Sequence, residues 1–151
     1  MLDEFIEANG LKAKLIECVD KVPNCKAAAH VLGVNVNDIA KTIVFVYDRS
    51  QAVLVVLLGD DKVSPAKVAK AMGLGPALQL ANPKQVLEMT GYEVGGVPPI
   101  SVYGVKTLVD QKLMAKEKVY AGGGDDAHLL EITPAELLEY AFEASVEDVS
   151  E

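Results

Sequence analysis

Residues 41–47 and 52–58 are two almost unbroken apolar runs joined by Asp48-Arg49-Ser50-Gln51. Each run has the length of a strand, far short of a membrane span, and the polar joint predicts a hairpin. Strands apolar on both faces must lie centrally in a sheet, with the rest of the chain covering both sides. At 151 residues, half of them hydrophobic, the chain can supply that cover as a single domain with a sizeable core.

The surrounding sequence predicts how the cover is built. Residues 2–9 read as a short helix and Lys14 to Val19 as a strand. Asn24 is placed to cap a helix through Leu32 that stops at Gly33. Ser64-Pro65, Asn82-Pro83 and Thr133-Pro134 each pair a capping residue with proline at the first helical position, and Thr133-x-x-Glu136 adds a capping box. The first two of these helices end near Gly73 and Gly91. Strands are expected at 106–109, 119–121 and 129–132, and an acidic, frayed tail at 145–151. Hairpins mixed with helices predict an α+β domain with a mixed sheet, rather than strict alternation.

The second proline-started helix delivers the chain into Gly91-Tyr92-Glu93-Val94-Gly95-Gly96-Val97-Pro98-Pro99, and a second glycine run follows at Gly122-Gly123-Gly124. Glycine permits positive φ and close approach, and proline locks the dihedrals beside it, so such a loop can present N–H groups as a fixed anion-binding array. From spacing alone a plain turn is the preferred reading. Likewise Lys41, at the start of an apolar strand, reads as a side chain snorkelling to solvent, and His128, between Ala127 and Leu129, as a structural histidine.

Charge and cysteine content narrow the function classes. The net charge is −8, but residues 131–151 hold seven acids and no Lys or Arg, leaving 15 acids against 14 bases in the body. Lys106, Lys112, Lys116 and Lys118, and separately Lys62, Lys67 and Lys70, read as solvated faces or as phosphate-facing patches. Thirteen lysines against one arginine offer point charges rather than bidentate forks, which disfavours sequence-specific duplex readout. Cys18 and Cys25 have no metal-site spacing with His30 or His128 and read as free thiols, with Cys25 as a nucleophile the alternative. The acidic opening Met1-Leu2-Asp3-Glu4 lacks the features of a secretion signal, so a cytoplasmic location is expected.

Lys41-Thr42-Ile43-Val44-Phe45, the Gly91-Tyr92 start, the Gly95-x-x-x-Pro99 core, the glycine triplet and Glu131-Ile132-Thr133-Pro134-Ala135-Glu136-Leu137 together resemble the YbaK family of aminoacyl-tRNA deacylases, relatives of the editing domain of prolyl-tRNA synthetase. The resemblance covers about residues 10 to 140. It implies a curved, partly barrel-like mixed sheet surrounded by helices. It implies Lys41 and Gly95 as catalytic residues, with the lysine on the terminal nucleotide of tRNA and the glycine N–H facing the scissile carbonyl. Thr42, Gly96, Pro99, Gly122, Gly123, Gly124 and His128 would bind substrate. No cofactor and no metal are implied, since the free 2′-hydroxyl of the terminal ribose would help to activate water.

Two positions depart from the family pattern: Val19 stands where some members carry a tyrosine, and Ser101 where a glycine commonly follows the core. Both put the preferred amino acid in doubt, and cysteinyl, alanyl, seryl and threonyl esters all stay open. The expected activity is hydrolysis in trans of misacylated tRNA, first of all alanyl- or cysteinyl-tRNA specific for proline. The partners implied are the 3′ end of aminoacyl-tRNA and an aminoacyl-tRNA synthetase, with no membrane and no sequence-specific DNA. The alternatives are an RNA-end or nucleotide-binding module with the same pocket, and a thiol esterase pairing Cys25 with His128.

Overall fold

The computed structural model describes residues 1–48, 50–75 and 78–151, so Arg49 of the expected hairpin joint lies outside the described residues. The hairpin itself forms: β2 (Ala40–Tyr47) and β3 (Gln51–Leu58) pair antiparallel from Ala40–Leu58 to Tyr47–Gln51. β3 is the central strand. Its alternate residues Val53, Val55 and Leu57 face one core, with Val68 of helix α3 (Pro65–Met72), while Leu54 and Val56 face the clusters on the other side. All five are fully buried, and each such side chain gains about 1.5–3 kcal/mol by leaving water.

Two sheets result. The larger has the order β4-β2-β3-β5-β8, where β4 is Gln79–Leu80, β5 Lys106–Asp110 and β8 Ser145–Glu147. β5 runs parallel to β3 and β8 parallel to β5, so the sheet is mixed. The smaller is antiparallel, with the order β1-β7-β6, where β1 is Lys14–Glu17, β7 His128–Ile132 and β6 Val119–Gly122. They meet where Ile39 bridges to Tyr120 beside the start of β2. The fold is therefore α+β as expected. The partly barrel-like arrangement is met only loosely: the sheets abut at one bridge, and no closed barrel forms among the described residues.

The helices are α1 (Leu2–Ala8), α2 (Cys25–Leu32), α3, α4 (Pro83–Thr90) and α5 (Pro134–Tyr140); α2, α3 and α4 start and stop where capping chemistry predicts, and α5 starts there. Asn24 Oδ1 accepts from Ala27 N at 2.9 Å and Ser64 Oγ from Lys67 N at 3.3 Å. Gly33, Gly73 and Gly91 close α2, α3 and α4 in the left-handed conformation. The capping box expected at Thr133 and Glu136 is only half made. Thr133 accepts from Glu136 N, but the Glu136 carboxylate accepts instead from Lys12 N and Ala13 N, at 2.9 and 2.8 Å, and so ties α5 to the entry of β1. A reciprocal box forms at Asn82 and Gln85.

The expected frayed tail is corrected. Residues 145–147 are β8, and Val149 and Ser150 are almost fully buried. The cause is Asp110, a fully buried carboxylate at the end of β5, whose Oδ1 accepts from Val149 N at 3.0 Å and Ser150 N at 3.2 Å. Ser64 N also donates to the Val149 carbonyl, and Lys67 reaches the Asp148 carboxylate at 3.1 Å.

Candidate active site

The glycine loop runs from the left-handed cap Gly91 back to the start of β5, between two clefts. The first, of about 270 Å³, lies over the half-buried beginning of β2 and is lined by Lys41, Thr42, Gly95 and Gly122 together with Cys25 and the apolar side chains of Ile39, Ile43 and Leu129. The second, of about 580 Å³, is lined by Gly96, Gly123, Gly124 and His128 with Asp125 and Glu93. Val94 at the loop tip borders both clefts and is exposed. The residues expected in one site are thus divided between adjoining spaces. Pro99 lines neither; it is buried at the base of the loop.

Lys41 does not snorkel freely. Its Nζ donates to the Gly59 carbonyl at 3.2 Å and to the Asp61 carbonyl, both on the turn that follows β3. An ammonium has three N–H bonds, so one donor is left over. Beside it the Thr42 hydroxyl is buried without a hydrogen-bond partner among the described residues. Among the cleft's lining residues only Lys41 and Cys25 titrate. Burial pushes the Cys25 thiol up, and the nearby Lys41 charge offsets this only in part, so the thiolate is disfavoured.

Gly95 holds φ at 91°, and its N–H donates to no acceptor among the described residues, whereas the Gly96 N–H is spent on the Glu93 carbonyl at 3.0 Å. A Cβ on Gly122 would overlap the Val97 carbonyl, and one on Gly123 would overlap the His128 carbonyl, so these two glycines let β6 lie directly against the loop and β7. Gly124 N donates to the Gly96 carbonyl at 2.9 Å, joining the two glycine runs.

His128 Nδ1 lies 2.7 Å from Asp125 Oδ1, a partner the sequence reading missed although it stands three residues upstream in the same glycine stretch. Burial opposes ionisation of Asp125, but the His128 contact and the Ala127 N–H outweigh it, holding the carboxyl below its ordinary range. Cys25 and His128 line different clefts, which removes the geometric basis for pairing them as a thiol esterase. Of the two departures from the family pattern, Val19 is fully exposed and lines neither cleft. Ser101 adopts φ 66°, a glycine-like conformation, and its Oγ accepts from the buried Tyr92 hydroxyl at 2.9 Å.

The lysines of the first cluster are engaged, and of the second Lys67 is held by Asp148. Lys112 pairs with Asp61 at 3.7 Å, Lys116 with Asp38 at 3.4 Å and Lys118 with Glu131 at 3.4 Å, while Lys106 donates to the Glu143 carbonyl. These four form a mixed-charge surface rather than an open basic patch, and none lines either cleft. No described helix is long and apolar enough to cross a membrane.

Residues 19–140 match the model of the aminoacyl-tRNA editing domain. The uncharacterized protein YwhH of Bacillus subtilis is 33% identical over 116 residues, covering 76% of this chain and 73% of that protein. A proline–tRNA ligase of Pelotomaculum thermopropionicum is 32% identical over 119 residues, but the chain spans only 20% of its length. Among solved structures, the hypothetical protein APE2540 superposes with a TM-score of 0.91 at 36% identity, over 99% of both chains. A structure described as a candidate trans-editing enzyme for prolyl tRNA synthetase superposes with a TM-score of 0.88 at 31% identity, over 99% of this chain and 95% of that one. The chain belongs to the aminoacyl-tRNA editing domain family, the YbaK-like aminoacyl-tRNA deacylases.

Proposed function

We propose that this protein hydrolyses, in trans and in the cytoplasm, the ester that links a wrongly attached small amino acid to the 3′ end of tRNA, with alanyl- and cysteinyl-tRNA specific for proline as the first substrates to test. The observation that carries the reading is the meeting of Lys41 and Gly95 in one small, mostly apolar cleft. Likeness along nearly the whole chain to a candidate trans-editing enzyme supports action without a covalently attached synthetase.

In this reading the remaining Lys41 donor holds the terminal nucleotide, and the ester carbonyl lies against the Gly95 N–H. Water adds to the carbonyl carbon, and negative charge collects on its oxygen. One preoriented donor at that oxygen contributes about 3–4 kcal/mol. The intermediate collapses by breaking the bond to the ribose oxygen, which takes up a proton, releasing the amino acid and a free tRNA end. Because the side chains lining the cleft offer no carboxylate or imidazole base, the neighbouring ribose 2′-hydroxyl orients the water. The cleft volume of about 270 Å³ suits a small aminoacyl group and the adjoining ribose better than a bulky side chain.

The test is hydrolysis of alanyl-, cysteinyl-, seryl- and threonyl-tRNA by purified protein against buffer. Acceleration of at least one ester is expected. Tight binding of aminoacyl-tRNA with unchanged ester lifetimes would instead make the protein a binding module for RNA ends.

A further inference from the structure

The turn that receives the Lys41 ammonium is itself tied down by further bonds. Gly59 N donates to the Ile39 carbonyl at 2.7 Å, Asp60 N donates to Asn37 Oδ1 at 3.2 Å, and the Asp61 carboxylate lies 3.7 Å from Lys112 Nζ. Asn37 sits in the short 3₁₀ turn Val36–Asp38, whose own start is fixed by a reciprocal box: Asn37 N donates to Asn35 Oδ1 at 2.9 Å and Asn35 N to Asp38 Oδ2 at 3.1 Å. The same segment leads through Ile39 and Ala40 into Lys41. Both ends of the lysine, its backbone and its ammonium seat, are therefore referenced to one short turn.

We infer that Asn37 is a positioning residue for Lys41: by accepting from Asp60 N it fixes the carbonyls of Gly59 and Asp61, which seat the ammonium and aim its remaining donor into the cleft. The inference rests on the deacylase reading for its catalytic consequence, but the seat can be tested without it. A flexible lysine would otherwise sample many rotamers and spend entropy on each binding event. Two carbonyl acceptors remove that freedom beforehand.

The experiment compares wild type, Asn37→Ala, the near-isosteric Asn37→Leu, and Asn37→Asp, which keeps an oxygen acceptor. Acylation of Lys41 by acetic anhydride is followed by mass spectrometry, with the exposed Lys84 as internal reference. Release of the seat predicts that Lys41 is acylated about tenfold faster relative to Lys84 in the Ala and Leu variants, and that KM for aminoacyl-tRNA rises by about tenfold with a smaller change in kcat. Asn37→Asp should return both values towards wild type. Wild-type acylation ratios in folded Ala or Leu variants would overturn the inference, as would loss of the fold in both, which would make Asn37 merely structural. If wild type hydrolyses no ester yet the acylation ratios shift as predicted, the seat stands and the deacylase reading fails.

Discussion

The Tyr92 hydroxyl donates to Ser101 Oγ at 2.9 Å, closing the loop that carries Gly95 with a buried hydrogen bond between its two ends. Ser101 occupies a conformation that glycine adopts more readily. The hydroxyl contact is what the serine contributes in exchange. Burial pushes the Tyr92 phenol up, partly offset by its bond to Ser101, so it stays a neutral donor at physiological pH.

Tyr92→Phe should therefore cost about 1 kcal/mol of stability, the net worth of one such bond. Ser101→Gly should be close to neutral, because relief of the left-handed backbone offsets the lost bond, whereas Ser101→Ala keeps the strain and loses the bond. Chemical denaturation of the three variants checks this order.

Asp110→Ala should destabilise by about 2–4 kcal/mol, because it leaves the Val149 and Ser150 N–H groups buried without an acceptor. Removal of residues 145–151 should likewise lower the melting temperature, since it strips β8 from β5 and uncovers the Asp110 carboxylate. Thermal unfolding of both forms decides the matter; a truncated form as stable as the full chain would show that the tail adds only charge.

Gly122→Ala should abolish activity through packing rather than chemistry. Its Cβ would drive the Val97 carbonyl, and with it the loop holding Gly95, out of place, at a cost of about 1–3 kcal/mol. A crystal structure or amide spectrum should show shifts confined to residues 94–99 and 121–124.

The Asp125–His128 contact should give a small, pH-dependent stabilisation. Because the folded carboxyl sits below its ordinary value of 3.8, the contribution is present above that value and is lost as pH falls through the folded one. Asp125 is exposed, so the difference between wild type and Asp125→Asn should stay below about 1 kcal/mol at pH 7. It should fade as the pH falls through the lowered value of the folded carboxyl, as paired melting curves would show.

Local chemistry was legible in the sequence: the hairpin of β2 and β3, the caps at Asn24, Ser64 and Asn82, and the glycine stops all form as read. What escaped depends on contacts between distant residues. The tail from Ser145 looks solvated by composition, and it is held by distant partners, foremost Asp110, 39 residues before Val149, with Ser64 and Lys67. Lys41 looks like a solvent-facing strand end until its carbonyl partners, 18 and 20 residues away, are known. Family resemblance gathered Lys41, Gly95 and His128 into one site, yet His128 lines the second cleft while its neighbour Leu129 lines the first, because successive residues of a strand point to opposite faces.

The measurement that bears most directly on the account is the rate of ester loss from alanyl- and cysteinyl-tRNA specific for proline, with wild type and Lys41→Ala side by side. The account predicts rapid loss with wild type and a fall of about a hundredfold or more in kcat/KM with the variant. Equal rates in the two proteins would contradict it.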